Sequence, residues 1–311
     1  MIGTDGPRQN QHLVSKGYQR NFADGWRVAV LDARSGGVVD GRRHIKENWV
    51  VEHFLSVSRE DGTLDDTLER EFAKREQRFL NMIRDVRLDA PVTPAQKAAI
   101  HDLAAAHLTR SQSFAEAHDS AASATFVEAR RRLARDPRAI EVFRRQYGRG
   151  PLPGELESIV DAEARRFADE PDLFASGVRR VDPGIQQLLA KWKVQLVGLA
   201  ADLPGFVLPD NPVLHGKRVE GRFGFRDAVA IGEADQIIVP IDRRLTALYS
   251  SKRLPAVEIR TKESMRWVNS LLIRSALKEV VCHPDDAQEV ARLIKNLDRY
   301  PTARFDAITL H

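Results

Sequence analysis

The sequence predicts an α+β fold, predominantly helical, with a small and mostly antiparallel sheet drawn from strands near both ends of the chain. Three observations predict it. Apolar residues recur at three, four and seven through the middle of the chain. Short β-branched runs bounded by Gly, Pro and Asp lie near the start and again after Leu203. No internal repeat or low-complexity tract is present. With 311 residues, 42% hydrophobic and 30% charged, the chain can bury a sizeable core, and no run of about 18 apolar residues offers a membrane span.

The first ten residues lack periodicity and read as a loose tail, leaving residues 11–311 as one α+β domain. WRVAVLD, Trp26 to Asp32, followed by Ser35-Gly36-Gly37 and Val38-Val39, reads as a hairpin. Trp49 to Val57 reads as extended or mixed. From Leu64, the residues Leu64, Leu68, Phe72, Phe79, Ile83 and Val86 form a helical stripe. Thr93-Pro94, an N-cap and a first-turn proline, opens the next helix through Ile100, Leu103, Ala104 and Phe114. Helices over about Thr125 to Tyr147 and Glu155 to Ala175 follow, separated by Gly and Pro, and suggest a helical, Arg-rich insertion at about 120–180. Asp182-Pro183 is read as the start of a central core helix carrying Ile185, Leu188, Leu189, Trp192, Leu196, Leu199 and Leu203. Beyond it GFVLPDNPVLH, RFGF, QIIVPI, LTALYS and AVEIR read as short strands, Thr261 caps a last long helix, and Asp285 to Leu297 adds a shorter one.

Charge is mildly basic, +4 overall, and its distribution says more than its total. From Glu128 to Gly150, Arg130, Arg131, Arg132, Arg135, Arg138, Arg144, Arg145 and Arg149 outnumber Glu128, Asp136 and Glu141. These arginines could track a phosphate backbone, with Arg130, Arg131, Arg135, Arg144 and Arg145 as contacts. They could equally form a solvated face of i,i+4 pairs. The N-terminus carries no export signal, so the cytoplasm is the expected location. Cys282, the only cysteine, excludes an internal disulfide and reads as a buried thiol.

Several polar residues sit where folding alone does not require them. Gln11-His12 precedes the apolar positions Leu13, Val14, Tyr18 and Phe22, which puts His12 at or beside a helix N-terminus. A histidine there stays neutral, fit for ligand or general-base work, or it is an ordinary structural histidine. Glu69 and Glu76, seven apart, flank one apolar stripe; they could face a cleft together or simply pair with Arg75 or Arg78. His107 lies on an apolar helical face with Arg110 at its edge, and a buried histidine needs a partner. Asp210-Asn211-Pro212 interrupts a strand-like run, either as a plain turn or as a carboxylate placed for metal-assisted chemistry.

These pieces resemble a known family. QHLVSKGYQRNFA is similar to the opening of the bacterial domain of unknown function 4238, whose members begin Gln-His-x-Val-Pro and continue Tyr-Leu-x-Asn-Phe. Leu68-Glu69 with Glu76, Arg110, Asp210-Asn211-Pro212, VPIDRRL and Val268-Asn269 with Ala276 match its later motifs in order. Ser15, Gln19 and Asp242-Arg243 depart from them. The resemblance implies no settled activity.

Two functional expectations follow. In the first, the protein is a metal-dependent nuclease or phosphodiesterase acting on nucleic acid or a nucleotide. His12, Glu69, Glu76 and Asp210 would bind Mg²⁺ or Mn²⁺, Gln11, His12, Arg110 and Asn211 would serve the reaction, and the arginine-rich helices would hold the strand. In the second, the same residues form a structural network in a non-catalytic nucleic-acid- or protein-binding module.

Overall fold

In the computed structural model, residues 10–300 are described, except 53, 59–60, 62, 89, 134, 169–172, 220–221, 225–230 and 251–256. Residues 1–9 of the expected tail therefore lie outside the described residues, while Asn10 is not loose but pairs with Glu52 in the first strand. The chain begins with β1 (Asn10–His12) and a short α1 (Lys16–Arg20), then the hairpin β2 (Arg27–Asp32) and β3 (Val38–His44). Its turn uses Gly36 at φ +68°, where a Cβ would meet the Ala291 carbonyl at 2.9 Å. Three short strands follow, β4 (Val50–Glu52), β5 (Val57–Ser58) and β6 (Leu64–Asp65), before α2 (Thr67–Ile83). Thr93 and Gln96 close a capping box at the start of α3 (Pro94–Thr109).

Four helices then run in succession: α4 (Gln112–Leu133), α5 (Pro137–Tyr147), α6 (Glu155–Ala168) and α7 (Leu173–Ala190). The C-terminal part supplies β7 (Lys193–Leu199), β8 (Leu208–Pro209), β9 (Leu214–Val219), β10 (Arg222–Gly224), β11 (Gln236–Asp242), β12 (Leu245–Ser250) and β13 (Val257–Ile259). It ends with α8 (Lys262–Ser275), capped by Thr261, then β14 (Glu279–Cys282) and α9 (Ala287–Lys295). Among the described residues helix accounts for about 52% and strand for 21%, so the helix-dominated α+β class is observed. Among the described residues no helix is long and apolar enough to cross a membrane.

The sheets join what the sequence separates. One has six strands in the order β10-β9-β11-β12-β7-β13, antiparallel except for the β13–β7 pair. The other has the order β3-β2-β14-β8, so the N-terminal hairpin pairs through β14 with the C-terminal half. The main core lies between these sheets, α3 and α8. It includes Tyr18, Phe22, Leu103, Val239, Leu271 and Val281, each burial contributing about 1.5–3 kcal/mol for a large apolar side chain. A smaller cluster of Leu55, Leu68, Phe72, Ala106 and Val178 ties β5 and α2 to α7.

Several boundaries differ from the sequence reading. The helix expected from Asp182 to Leu203 is divided: Pro183 lies inside α7, and the chain from Lys193 is a strand. From Gln195 to Leu199, β7 is buried on both faces, so it reads as a continuous apolar run that also satisfies helical spacing. Leu64 belongs to β6, not to a helix, and α3 stops at Thr109 instead of continuing to Phe114. The sequence reading did not anticipate β14, whose four residues carry too little pattern. Of the described residues 112–163, only Phe143 is a buried hydrophobic, so α4, α5 and the described part of α6 form an outer layer.

Candidate functional site

On α2 the stripe Leu68, Phe72 and Phe79 is buried, and Glu69 and Glu76 are carried inward with it, each 7% exposed. Helix α3 lies alongside and presents Leu103, His107 and, at its C-cap, Arg110. The spacing of four and three puts these on one face. Arg110 Nη1 stands 3.3 Å from Glu76 Oε1 and 3.9 Å from Glu69 Oε2. The expected partners Arg75 and Arg78 are used elsewhere, on Asp182 and Asp102. His107 Nε2 lies 3.9 Å from Glu76 Oε1, and its ring tilts over Tyr18.

Burial dominates the electrostatics here. It raises the Glu76 pKa despite the opposing charge of Arg110, and Glu69 adds to the rise. Burial also pushes His107 down to about 3, with Arg110 adding, so His107 is neutral at pH 7. Two carboxylates share one guanidinium in a closed interior.

The N-terminal segment is bound to this wall. Arg110 Nη2 donates to the His12 carbonyl. Gln11 accepts from the Leu55 amide at 2.7 Å and donates to Ser56 Oγ at 2.6 Å, while β1 pairs with β4. Gln19 donates to the Val14 carbonyl and accepts from Asn48. Gln11 is thus a buried tie, 2% exposed.

His12 is not at a helix N-terminus. It ends β1, and the α1 cap is Ser15, whose hydroxyl accepts from the Tyr18 amide. Its Nδ1 lies 2.9 Å from the Asn48 carbonyl. A carbonyl can only accept, so Nδ1 carries the proton and the neutral ring keeps a bare lone pair on Nε2. The ring is half-buried. Burial lowers its pKa, the Asn48 carbonyl opposes this, and Lys16 and Arg110 add to the lowering. The cause is desolvation, not the helix dipole that the sequence suggested.

Asp210 and Asn211 are elsewhere. Asp210 Oδ1 accepts from the Leu277 amide at 2.8 Å, and Oδ2 accepts from Lys278 at 2.9 Å and Glu279 at 3.1 Å. The Asn211 carbonyl accepts from Ser275 Oγ. Asp210 therefore pins the β8–β14 junction and the Asn211 backbone is tied to the end of α8, and burial still raises the Asp210 pKa against these bonds. The His12 carbonyl, Glu69, Glu76 and Arg110 meet; Gln11 is bonded instead to Leu55 and Ser56, and Asp210 and Asn211 do not join them. Among the described residues no group of three or more His, Cys, Asp or Glu side chains could hold a metal ion. His12, Glu69, Glu76 and Asp210 thus do not fit a shared Mg²⁺ or Mn²⁺ site.

The arginine-rich layer is exposed and largely paired. Glu128 holds Arg131 and Arg132, Glu141 holds Arg145, Asp161 holds Arg130, and Glu155 holds Arg149. Arg135 and Arg144 are exposed. Cys282 is buried and its thiol pKa is raised by that burial, as expected of an inert thiol.

Sequence reasoning missed Ser15, Asn48, Trp49, Ser56 and Glu279. Asn48 is fully buried and Trp49 holds φ +51°, the only positive φ outside glycine among the described residues. Nothing in the local sequence marks a tryptophan for that conformation.

The family model described as a protein of unknown function, DUF4238, matches residues 10–286. No curated protein and no solved structure matches the chain.

Proposed function

For a chain that belongs to the DUF4238 family, we propose a hydrolase of phosphate diesters, in nucleic acid or a nucleotide, with His12 as general base. The observation that carries this reading is the tautomer of His12: Nδ1–H is engaged by the Asn48 carbonyl, and the half-buried ring offers Nε2 as a neutral base. In the step proposed, a water oxygen bonds to phosphorus as its proton passes to Nε2, and the bond to the leaving oxygen breaks with its electron pair on that oxygen, which then takes a proton from water. The imidazolium formed is stabilised by the Asn48 carbonyl. Lys16, exposed and close enough to depress the His12 pKa, supplies a cation for the phosphate. The excess of arginine from Glu128 to Gly150 supports a polyanionic substrate.

The four expected ligands are not gathered among the described residues, and the proposed step relies on His12 and Lys16. Arg110, 2% exposed and committed to Glu76 and the His12 carbonyl, is assigned to holding the segment and not to the phosphate.

The test is cleavage of labelled single- and double-stranded RNA and DNA by the pure protein, with Mg²⁺ or Mn²⁺ and with EDTA. His12→Asn is the decisive variant, since its amide keeps the donor to Asn48 while the Nε2 base is gone. Cleavage lost in a variant that melts like the wild type supports the reading; cleavage unchanged in it sinks the reading.

A second reading, a non-catalytic nucleic-acid- or protein-binding module, is favoured by the closure of the Glu69, Glu76 and Arg110 wall. It expects no cleavage in any condition, and a lower melting temperature on loss of Glu69 or Arg110.

A further inference from the structure

Two consecutive carbonyls serve the His12 segment. Asn48 O accepts from His12 Nδ1, and Trp49 O accepts from the Leu13 amide at 2.9 Å. In an extended strand successive carbonyls point to opposite sides, so one segment could not receive both. Trp49 at φ +51° breaks that alternation and turns the two carbonyls toward the same neighbour. A bulky residue is strained in this region and stays there only where its surroundings hold it.

The hold comes from β14. Trp49 Nε1 donates to Glu279 Oε2 at 3.1 Å, and the ring packs against the main core. Arg43 spans the same corner, with Nη1 3.2 Å from Asn48 Oδ1 and 3.8 Å from Glu279 Oε1. Glu279 is itself fixed, since its amide donates to Asp210 Oδ2 and its carbonyl accepts from the Asp210 amide. The Asp210 turn and His12 are therefore joined through Glu279, Trp49 and Asn48, without any shared ligand.

We infer that Glu279 is a positioning residue for His12: through the Trp49 indole it holds the left-handed turn that aims the Asn48 carbonyl at Nδ1 and so leaves Nε2 bare. The inference deepens the hydrolase reading and rests on it for its catalytic meaning, but the geometry can be tested apart from activity. The charged groups acting on the His12 ring are Lys16 on α1 and Arg110 on α3, and neither touches Glu279 in the contacts above. A change at Glu279 thus reaches the ring through the Asn48 carbonyl.

The experiment is two-bond ¹H–¹⁵N correlation of the histidine rings in the full-length protein, with the His12 signals identified by their loss in His12→Asn. In the wild type Nδ1 should carry the proton at pH 7. In Glu279→Ala the Nε2–H form should grow and the titration midpoint should fall further below the ordinary value near 6.5, because the Asn48 carbonyl that opposes the lowering is lost. Glu279→Gln, whose amide oxygen still accepts from the indole, should restore the wild-type pattern. Trp49→Phe, which keeps the ring but not the donor, should reproduce Glu279→Ala and carries the test if that variant does not fold. A wild-type tautomer and midpoint in both disruptive variants would overturn the inference. Where cleavage is observed, Glu279→Ala should lower kcat about 10- to 100-fold with little change in KM, the usual scale for a group that orients a histidine. A tautomer that depends on Glu279 in a protein that cleaves nothing would sink the hydrolase reading and leave the brace intact.

Discussion

The two corners that hold the carboxylates singled out in the sequence bury them by opposite means. At the α2–α3 wall, Glu69 and Glu76 share the guanidinium of Arg110, whose long side chain must itself be ordered. At the β8–β14 junction, Asp210 is met by three backbone amides that the chain already holds in place. Burial raises the pKa of Glu76 and of Asp210 alike. The difference lies in what is stranded when one member is removed. The first corner would keep uncompensated charge, and the second would keep only unpaired amides.

Arg110→Met breaks this comparison at its stronger end. It leaves two buried carboxylates without a cation and frees the His12 carbonyl, and a broken buried pair costs about 3–5 kcal/mol. Urea denaturation at pH 7 should find that loss, and a loss under about 1 kcal/mol would mean that the wall tolerates its charge unaided. Asp210→Ala should cost less, about 3 kcal/mol, because neutral amides are cheaper to strand than carboxylates. If Asp210→Ala proved the more damaging of the two, the ranking of charge over amides would be wrong for this fold.

Acidification sharpens the same contrast. His107 is held down to about 3 and His101 to about 4, both chiefly by burial. Below pH 6.5 the unfolded chain takes up protons that these folded histidines refuse, so stability falls as pH falls through that window. Glu76 and Asp210 act with the opposite sign: their raised pKa values make charge costly in the folded state, and protonation relieves that cost as pH falls toward the ordinary carboxylate range. Between pH 7 and 5 these two histidines stay neutral in the folded chain while the unfolded chain protonates them. His107→Gln should therefore reduce the stability lost over this interval by about 2 kcal/mol, read from denaturation midpoints at the two pH values. An unchanged loss would show that His107 is already protonated at pH 7 or that its burial is relieved.

The sequence exposed the parts of this arrangement that local chemistry dictates. Thr93-Pro94, Thr261 and the turn at Gly36 mark their elements because caps and left-handed turns need particular side chains. The inward face of α2 was legible because Glu69 and Glu76 keep step with Leu68 and Phe72. Pairing between distant segments was not. Nothing local says that β14 would lie between β2 and β8, that Asp210 would reach residues 277–279, or that Trp49 would leave the extended region. The misread stretch after Asp182 shows the limit from another side: a strand buried on both faces loses its alternation, and spacing then favours the wrong element.

The outer layer of α4 to α6 offers the smallest effect and the sharpest contrast with the wall. Glu128 pairs with Arg131 and Arg132 at 2.9 and 2.7 Å, distances shorter than those between Arg110 and its glutamates. Yet its side chain is 40% exposed, and those of the two arginines 66% and 78%. Water competes for each group, and ordering the long side chains offsets part of the attraction. Glu128→Ala should therefore change stability by less than about 0.5 kcal/mol, against several for Arg110→Met. Binding to a labelled single strand at low salt should respond in the other direction, tightening in Glu128→Ala as two arginines are released, with a steeper salt dependence. Unchanged binding and salt slope would remove the α4–α6 layer as a polyanion track and leave any strand contact to Lys16 and the His12 corner.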